Sequence, residues 1–422
     1  TLFNIANILT STYSKLNLAD RVSLMHNFDF KYSPDVSWSE ILALAVTLRK
    51  HLHKNPELSW QEHKTTATIR SLLDQAGITW RACTNTGTIA TIAGNEAGTH
   101  VALRGDIDAL PIDEKSGVDW ACEEESHMHA CGHDGHTATL MATALWLKKH
   151  EQTLQGPVSF VFQPAEEGGH GAHEMIKNGV LEGIDAIYGW HNWPAIPFGK
   201  AVCPDGAVMS ANGTFEIYIS GTGGHASQPE ACADPVLAAA AMTQSLQQIV
   251  SRRLPPQTSA VVSVTSIDAR SSLTVTPEDA RVSGSVRVPD IKTRDKVFTF
   301  ISEIATDTAK AYGVTADMTP APRYGATINT PDEAATMRSA LCKEFGDTWQ
   351  DTNTPIPIMA SEDFSYYLQE IPGAFALIGA SDGAEMHKVA CHSPYYDFND
   401  ALIPRVVGVF ARLTGAPLPT AS

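Results

Sequence analysis

Apolar and polar positions fall into two rhythms along this chain. From Ser37, Ile41, Leu42, Leu44, Ala45 and Leu48 recur at helical spacing, behind a serine followed three residues later by Glu40, as in a capping box. This predicts a helix through His51, ended by Asn55-Pro56-Glu57, and a second amphipathic helix from Thr65 to Ala76. Short apolar or β-branched runs at Thr88 to Ala93, His100 to Arg104, Val158 to Phe162 and Ala186 to Trp190 read as strands, with a helix from His136 to His150 among them. That alternation predicts an α/β domain with a mostly parallel sheet flanked by helices.

After about residue 210 the pattern changes. Phe215 to Ser220 alternates with period two, as half-exposed antiparallel strands do. A helix at Asp234 to Ser251, strands at Ser259 to Ile267 and Ala280 to Val288, and a helix from Lys292 to Ala311 follow. Strand, helix, strand, strand, helix predicts an inserted smaller α+β domain of ferredoxin-like type. The first style then returns with a helix from Pro331 to Phe345, a strand from Ala374 to Gly379 and a closing helix from Leu402 to Leu413. The expected division is a helical N-terminal extension (1–36), a main domain in two parts (37–210 and 323–422) and the insert (211–322).

Length and composition narrow the class. A chain of 422 residues exceeds one ordinary core, and 43% hydrophobic with 18% charged residues describes a globular protein. A formal net charge of -17 argues against nucleic acid or an anionic membrane surface as partner. No run approaches the roughly 20 apolar residues of a membrane helix, and no signal peptide is read in residues 1–35. The 7 scattered cysteines suggest reduced thiols, which favours the cytoplasm.

The chemistry centres on His129-Ala130-Cys131-Gly132-His133-Asp134-Gly135-His136. Thiolate and imidazole suit zinc and transition metals generally, whereas magnesium and calcium prefer oxygen. Other ligand-type residues stand where strands stop. Asp106 and Asp108 follow the run ending at Arg104, although for either aspartate alone a turn or helix cap is as good a reading. Glu166 and Glu167 follow Val158 to Phe162, and adjacent glutamates point in different directions, so one can bind metal while the other works as a general base. His191 ends another strand, and His392 is a further candidate ligand.

Six blocks in order resemble the dinuclear metallo-amidohydrolases related to aminoacylase and carboxypeptidase G. They are Arg104-Gly-Asp-Ile-Asp-Ala-Leu-Pro, the Cys/His block, Gln163-Pro-Ala-Glu-Glu-Gly, Gly223-Gly-His-Ala-Ser, Ser361-Glu-Asp-Phe and His392-Ser-Pro. The match is nearest the branch of hippurate hydrolases and plant auxin-conjugate amidohydrolases. The resemblance implies two divalent ions held by Cys131, His133, Glu167, His191 and His392, most suitably zinc, with manganese or cobalt as alternatives. It implies Glu166 as general base and proton shuttle, with Asp108 as the orienting aspartate. Asp106 stands where other branches carry a histidine ligand, which leaves its contact with metal open. His225 resembles a histidine that reaches a catalytic centre, often the partner subunit's, to hold the substrate's carbonyl oxygen or carboxylate. The insert would then be a lid and dimerisation domain. Thr274-Val275-Thr276-Pro277 departs from the common Asn-Val-Ile-Pro, so carboxylate recognition can differ.

The reaction so implied is hydrolysis of the amide bond of an N-acyl or N-aroyl amino acid, with a homodimer or higher homo-oligomer as the assembly. The alternatives are a dipeptidase or carboxypeptidase with the same dinuclear chemistry, and a metal-binding protein without catalysis, against which the intact Glu166 argues.

Overall fold

A computed structural model describes residues 32–93 and 97–419, so nearly all of the expected N-terminal extension lies outside the described residues. The described chain segregates into two compact units, residues 32–167 with 384–419, and residues 168–383.

The first unit opens on α1 (Trp38–Lys54), whose capping box is present as expected: Ser37 Oγ accepts from the Glu40 amide, and the Glu40 carboxylate accepts from the Ser37 amide. Next come α2 (His63–Gln75), β1 (Thr79–Ala82), β2 (Thr88–Ile92), β3 (Val101–Asp106), α3 (His133–Lys149) and β4 (Val158–Gln163). The strand order is β1-β2-β4-β3. β3 and β4 are parallel and joined through α3, but β1 pairs antiparallel with β2, and β2 antiparallel with β4. The expectation of a mostly parallel sheet is therefore corrected to a mixed one. The physical reason lies in the connection: residues 83–87 are too few for the crossover that parallel neighbours need.

Helix α3 begins at His133, three residues earlier than its apolar rhythm suggests, and is buried from His133 through Leu147. It packs against α1, β3 and the C-terminal helix Leu402–Thr414. A helix buried on nearly every side belongs to the core, polar residues included, and the first turn of this one carries His133 and His136.

The second unit contains α4 (Gly171–Lys177), β5 (Ala186–Pro197), β6 (Ala201–Val202), β7 (Gly206–Met209), β8 (Ala211–Ser220), β9 (Gly224–His225), α5 (Pro235–Leu246), β10 (Val261–Asp268) and β11 (Val275–Thr276). It continues with β12 (Asp279–Val288), α6 (Ile291–Ala311), β13 (Thr315–Pro322), β14 (Thr327–Asn329), α7 (Pro331–Phe345), α8 (Ser365–Glu370) and β15 (Gly373–Ser381). β15 lies between β5, which it pairs in parallel, and β6, which it pairs antiparallel.

Within residues 211–322 the order β8-α5-β10-β12-α6-β13 is the β-α-β-β-α-β succession, folded as an antiparallel sheet in the order β10-β12-β8-β13. The period-two pattern of β8 turns Phe215, Ile217 and Ile219 into a core shared with Met242 of α5, Val282 and Val286 of β12, and Val297 and Ile301 of α6. β13, which the sequence reading missed, is an edge strand carrying Pro320 and Pro322, where proline is tolerated. No helix among the described residues is long and apolar enough to cross a membrane. All seven cysteines are free thiols.

Candidate metal centre

Four ends of local structure in the first unit converge. The carboxyl end of β3 delivers Asp106 and, two residues on, Asp108. The loop into α3 delivers Cys131 and His133. The end of β4 delivers Glu166 and Glu167, and the segment before the C-terminal helix delivers His392. Glycine serves two needs in the Cys/His block. Gly132 is the N-cap of α3 at φ +87°, a left-handed conformation that L side chains rarely adopt. Gly135 lies so close to Phe398 that a Cβ there would stand 2.4 Å from its ring carbons.

Cys131, Glu167 and His392 each offer a ligand atom within 4.8 Å of the others. His392 Nε2 is 3.3 Å from Cys131 Sγ and 3.2 Å from Glu167 Oε1. For bonds of about 2.0–2.3 Å in tetrahedral geometry, donors stand roughly 3.3–3.7 Å apart, so this set is spaced for a cation. His133, Glu166 and Glu167 make a second such group, sharing Glu167 with the first. The electrostatics agree. The Cys131 thiol is pushed well above its usual range by its hydrogen bond with Cys391, by burial and by the charge of Glu167. A buried pocket that crowds a thiol against two glutamates suits a positive ion.

The orientation of His133 is set from behind. Its Nδ1 lies 2.9 Å from the backbone carbonyl oxygen of Asp108 and 3.2 Å from Asp108 Oδ1. A carbonyl only accepts, so Nδ1–H donates and the ligating lone pair belongs on Nε2. Asp108 Oδ2 accepts from the Ser59 hydroxyl at 2.7 Å and the Glu167 amide at 3.0 Å. Burial opposes its charge, but the hydrogen bonds and charge of His133 lead the groups that hold its carboxyl below the usual range.

Asp106 is committed differently. One oxygen is paired with Arg104, which also donates through Nε to Gln163 Oε1 at 2.8 Å, and the other is 2.6 Å from His136 Nδ1. Asp106, His133 and His136 form a further group of possible ligand atoms, yet the Arg104 guanidinium already answers the carboxylate's charge.

The remaining sequence candidates lie in the second unit. His191 is buried on β5, its Nδ1 2.6 Å from the Asn192 carbonyl oxygen, which again places the lone pair on Nε2. His225 is exposed on the β9–β11 ribbon, opposite Val275. Its Nδ1 accepts from the Ser227 amide at 3.2 Å, so Nε2 carries the proton. Thr274, the position that departs from Asn-Val-Ile-Pro, accepts the Ala226 amide at 2.9 Å on that same ribbon.

Several participants escaped the sequence reading. Glu62 accepts the Ala165 amide at 2.9 Å and the Thr86 hydroxyl at 2.7 Å, and burial followed by the charge of Asp108 pushes its carboxyl up to about 7. His53, on α1, holds Asp134 Oδ2 at 2.8 Å and Glu114 Oε1 at 3.0 Å. Arg49 reaches Asp397 Oδ1 at 2.9 Å and Asp400 Oδ1 at 2.7 Å, close beyond His392. Their contacts span tens to hundreds of residues, which no local spacing announces.

Comparison with known proteins agrees with the motif resemblance. N-acetyl-L-cysteine deacetylase of Bacillus subtilis is 38% identical over 361 residues, 85% of each chain. IAA-amino acid hydrolase ILR1-like 2 of Arabidopsis thaliana is 37% identical over 397 residues, 91% of this chain and 86% of that one. The crystal structure of the Bacillus subtilis YXEP protein, a dinuclear metal binding peptidase, superposes with a TM-score of 0.77 at 33% identity, covering 89% of this chain and 98% of that one. Residues 102–415 match the family described as Peptidase family M20/M25/M40, and the chain belongs to this family of hydrolases.

Proposed function

We propose that this hydrolase cleaves the amide bond of N-acyl or N-aroyl amino acids, releasing a carboxylic acid and a free amino acid. The observation that carries the reading is the convergence of Cys131, His133, Glu166, Glu167 and His392, in which Glu167 belongs to both groups of possible donors and its neighbour Glu166 is assigned to proton transfer. The relatives' names support the substrate class, since both describe hydrolysis of an acylated amino acid.

In this reading Cys131, His133, Glu167 and His392 are metal ligands, and the motif resemblance adds His191 as the fifth. Two divalent ions, zinc by the softness of the donor set, would supply Lewis acidity that lowers the pKa of water and polarises the scissile carbonyl. Glu166 takes the proton of the attacking water and hands it to the departing amine nitrogen. Asp108 keeps the His133 imidazole in its ligating tautomer and fixes the amide of Glu167. Asp106 is a support for His136 rather than a ligand, because its charge is spoken for by Arg104. His225, with its proton on Nε2, donates to the substrate's carbonyl oxygen or carboxylate.

Residues 211–322 are read as the inserted lid and dimerisation domain of a catalytic domain formed by 37–210 and 323–422. The free thiols fit a reducing compartment such as the cytoplasm.

The test is release of free amino acid from hippurate, N-acetyl amino acids, auxin conjugates and dipeptides, using chelated protein reloaded separately with zinc, manganese or cobalt. N-acyl substrates should be cleaved on reloading, and Glu166→Gln should lower kcat on the order of a hundred- to ten-thousand-fold while metal content stays near wild type. Cleavage of dipeptides alone would move the assignment to a peptidase.

A further inference from the structure

Glu62 occupies the N-cap position of α2, yet its side chain makes no capping bond to that helix. Glu57 does the capping, accepting the Lys64 and Thr65 amides at 3.1 and 2.8 Å. Glu62 is fully buried, and its carboxylate reaches across to the end of β4. One oxygen accepts the Ala165 amide at 2.9 Å. The other accepts the Thr86 hydroxyl at 2.7 Å, and the Thr86 carbonyl in turn accepts from the Thr66 hydroxyl at 2.6 Å.

The grip falls on a strained residue. Ala165 stands at φ +54°, in the left-handed region that side chains with a Cβ avoid, and it is wholly buried. Such a conformation persists only when its surroundings over-determine it, and it clusters at functional sites. Two residues on, the Glu167 amide is held at 3.0 Å by Asp108, whose carboxylate is itself fixed by Ser59. Two buried carboxylates thus hold the amides flanking Glu166.

We propose that Glu62 is a positioning residue for Glu166: with Asp108 it clamps the strained turn 165–167 and so sets where the general base stands. The inference rests on the reading of Glu166 as that base. A misplacement of about 1 Å at a reacting group can lower turnover on the order of a hundred-fold without weakening substrate binding, so the signature is a fall in kcat with KM held.

The experiment compares Glu62→Ala, Glu62→Gln, Ala165→Gly and the Glu62→Ala/Ala165→Gly pair in the metal-loaded enzyme, with metal content and melting temperature measured for each. Glu62→Ala should lower kcat roughly ten- to a hundred-fold with KM and metal content close to wild type. Glu62→Gln, which retains an acceptor for the Ala165 amide, should keep most of the activity. Ala165→Gly should restore part of the kcat lost in Glu62→Ala, because glycine adopts the left-handed conformation without the Cβ penalty. Rescue at 165 is a result that loss of general packing around α2 would not give. If Glu62→Ala yields no folded protein, Glu62→Asp decides: it keeps the carboxyl group but withdraws it by one methylene, and kcat should fall at unchanged KM. Wild-type kcat in Glu62→Ala or Glu62→Asp, or a loss that neither Gln at 62 nor Gly at 165 repairs, overturns the proposal. Glu166→Gln run alongside separates the two claims. If that variant turns over normally, the general-base reading fails and this inference with it; if it is inactive while Glu62→Ala is wild type, only the role of Glu62 falls.

Discussion

His133 and Asp108 meet twice: Nδ1 of the imidazole faces both the backbone carbonyl oxygen of Asp108, at 2.9 Å, and its carboxylate, at 3.2 Å. The same carboxylate holds the amide of Glu167, so one aspartate orients two of the proposed ligands.

Replacing that aspartate by asparagine keeps the volume and sets an amide N–H against the Nδ1–H of His133, or else against the Ser59 hydroxyl and the Glu167 amide. Partners that orient metal-binding histidines typically contribute 10- to 100-fold in metal affinity or activity, so Asp108→Asn should weaken metal binding by about that factor. Competition with a chromophoric chelator measures it. An unchanged affinity would remove Asp108 from the ligand-orienting role.

His53 and Asp134 form a buried ion pair behind the metal loop. Burial opposes a charge on His53, but the charge and hydrogen bond of Asp134 and the hydrogen bond of Glu114 outweigh it and bring its pKa up to about 9, from an ordinary 6.5. Asp134 is lowered by the same interaction seen from the other side. A raised histidine pKa means that stability from this pair is fully present below pH 6.5 and is lost as pH rises through about 9. The acidic limit comes from Asp134, whose contribution is lost as pH falls below its ordinary 3.8. The stability difference between wild type and His53→Gln should therefore shrink between pH 6.5 and pH 9, by at most about 3 kcal/mol. Urea denaturation at several pH values reads it, and a difference that does not vary with pH would rule out a charged His53.

Gly135 sits between His133 and His136 in the first turn of α3, where a Cβ would stand 2.4 Å from the Phe398 ring. Alanine favours a helix, yet here it must push a buried phenylalanine that lies six residues beyond His392. Gly135→Ala should destabilise the fold by roughly 1–3 kcal/mol, the usual range for overpacking. Adding Phe398→Leu should recover part of that loss. Both are measured by chemical denaturation, and independence of the two changes would show that the contact does not set the requirement for glycine.

Local rules were enough for much of the architecture. Ser37 and Glu40 announced the start of α1, and Pro331 to Phe345 was legible to the residue, because caps and apolar periodicity act within a few positions. Residue types suited to metal could be read at several element ends, with Asp106 closing β3, His133 opening α3 and Glu166 and Glu167 following β4, but His191, expected at the end of a strand, stands inside β5, which runs on to Pro197. β1 was missed because Thr79–Ala82 is short and mostly exposed, and β13 because an edge strand bearing two prolines shows little pattern. With β1 unseen, the antiparallel half of the first unit's sheet went unread.

What only the tertiary structure decided is which residues stand behind the proposed ligands. Glu62 meets Ala165 across 103 positions, His53 meets Asp134 across 81, and Arg49 meets Asp397 across 348. Buried carboxylates, imidazoles and guanidinium groups need partners wherever the fold brings them. Hydrophobic burial is non-directional and decides those encounters collectively, so no single stretch of the sequence contains them.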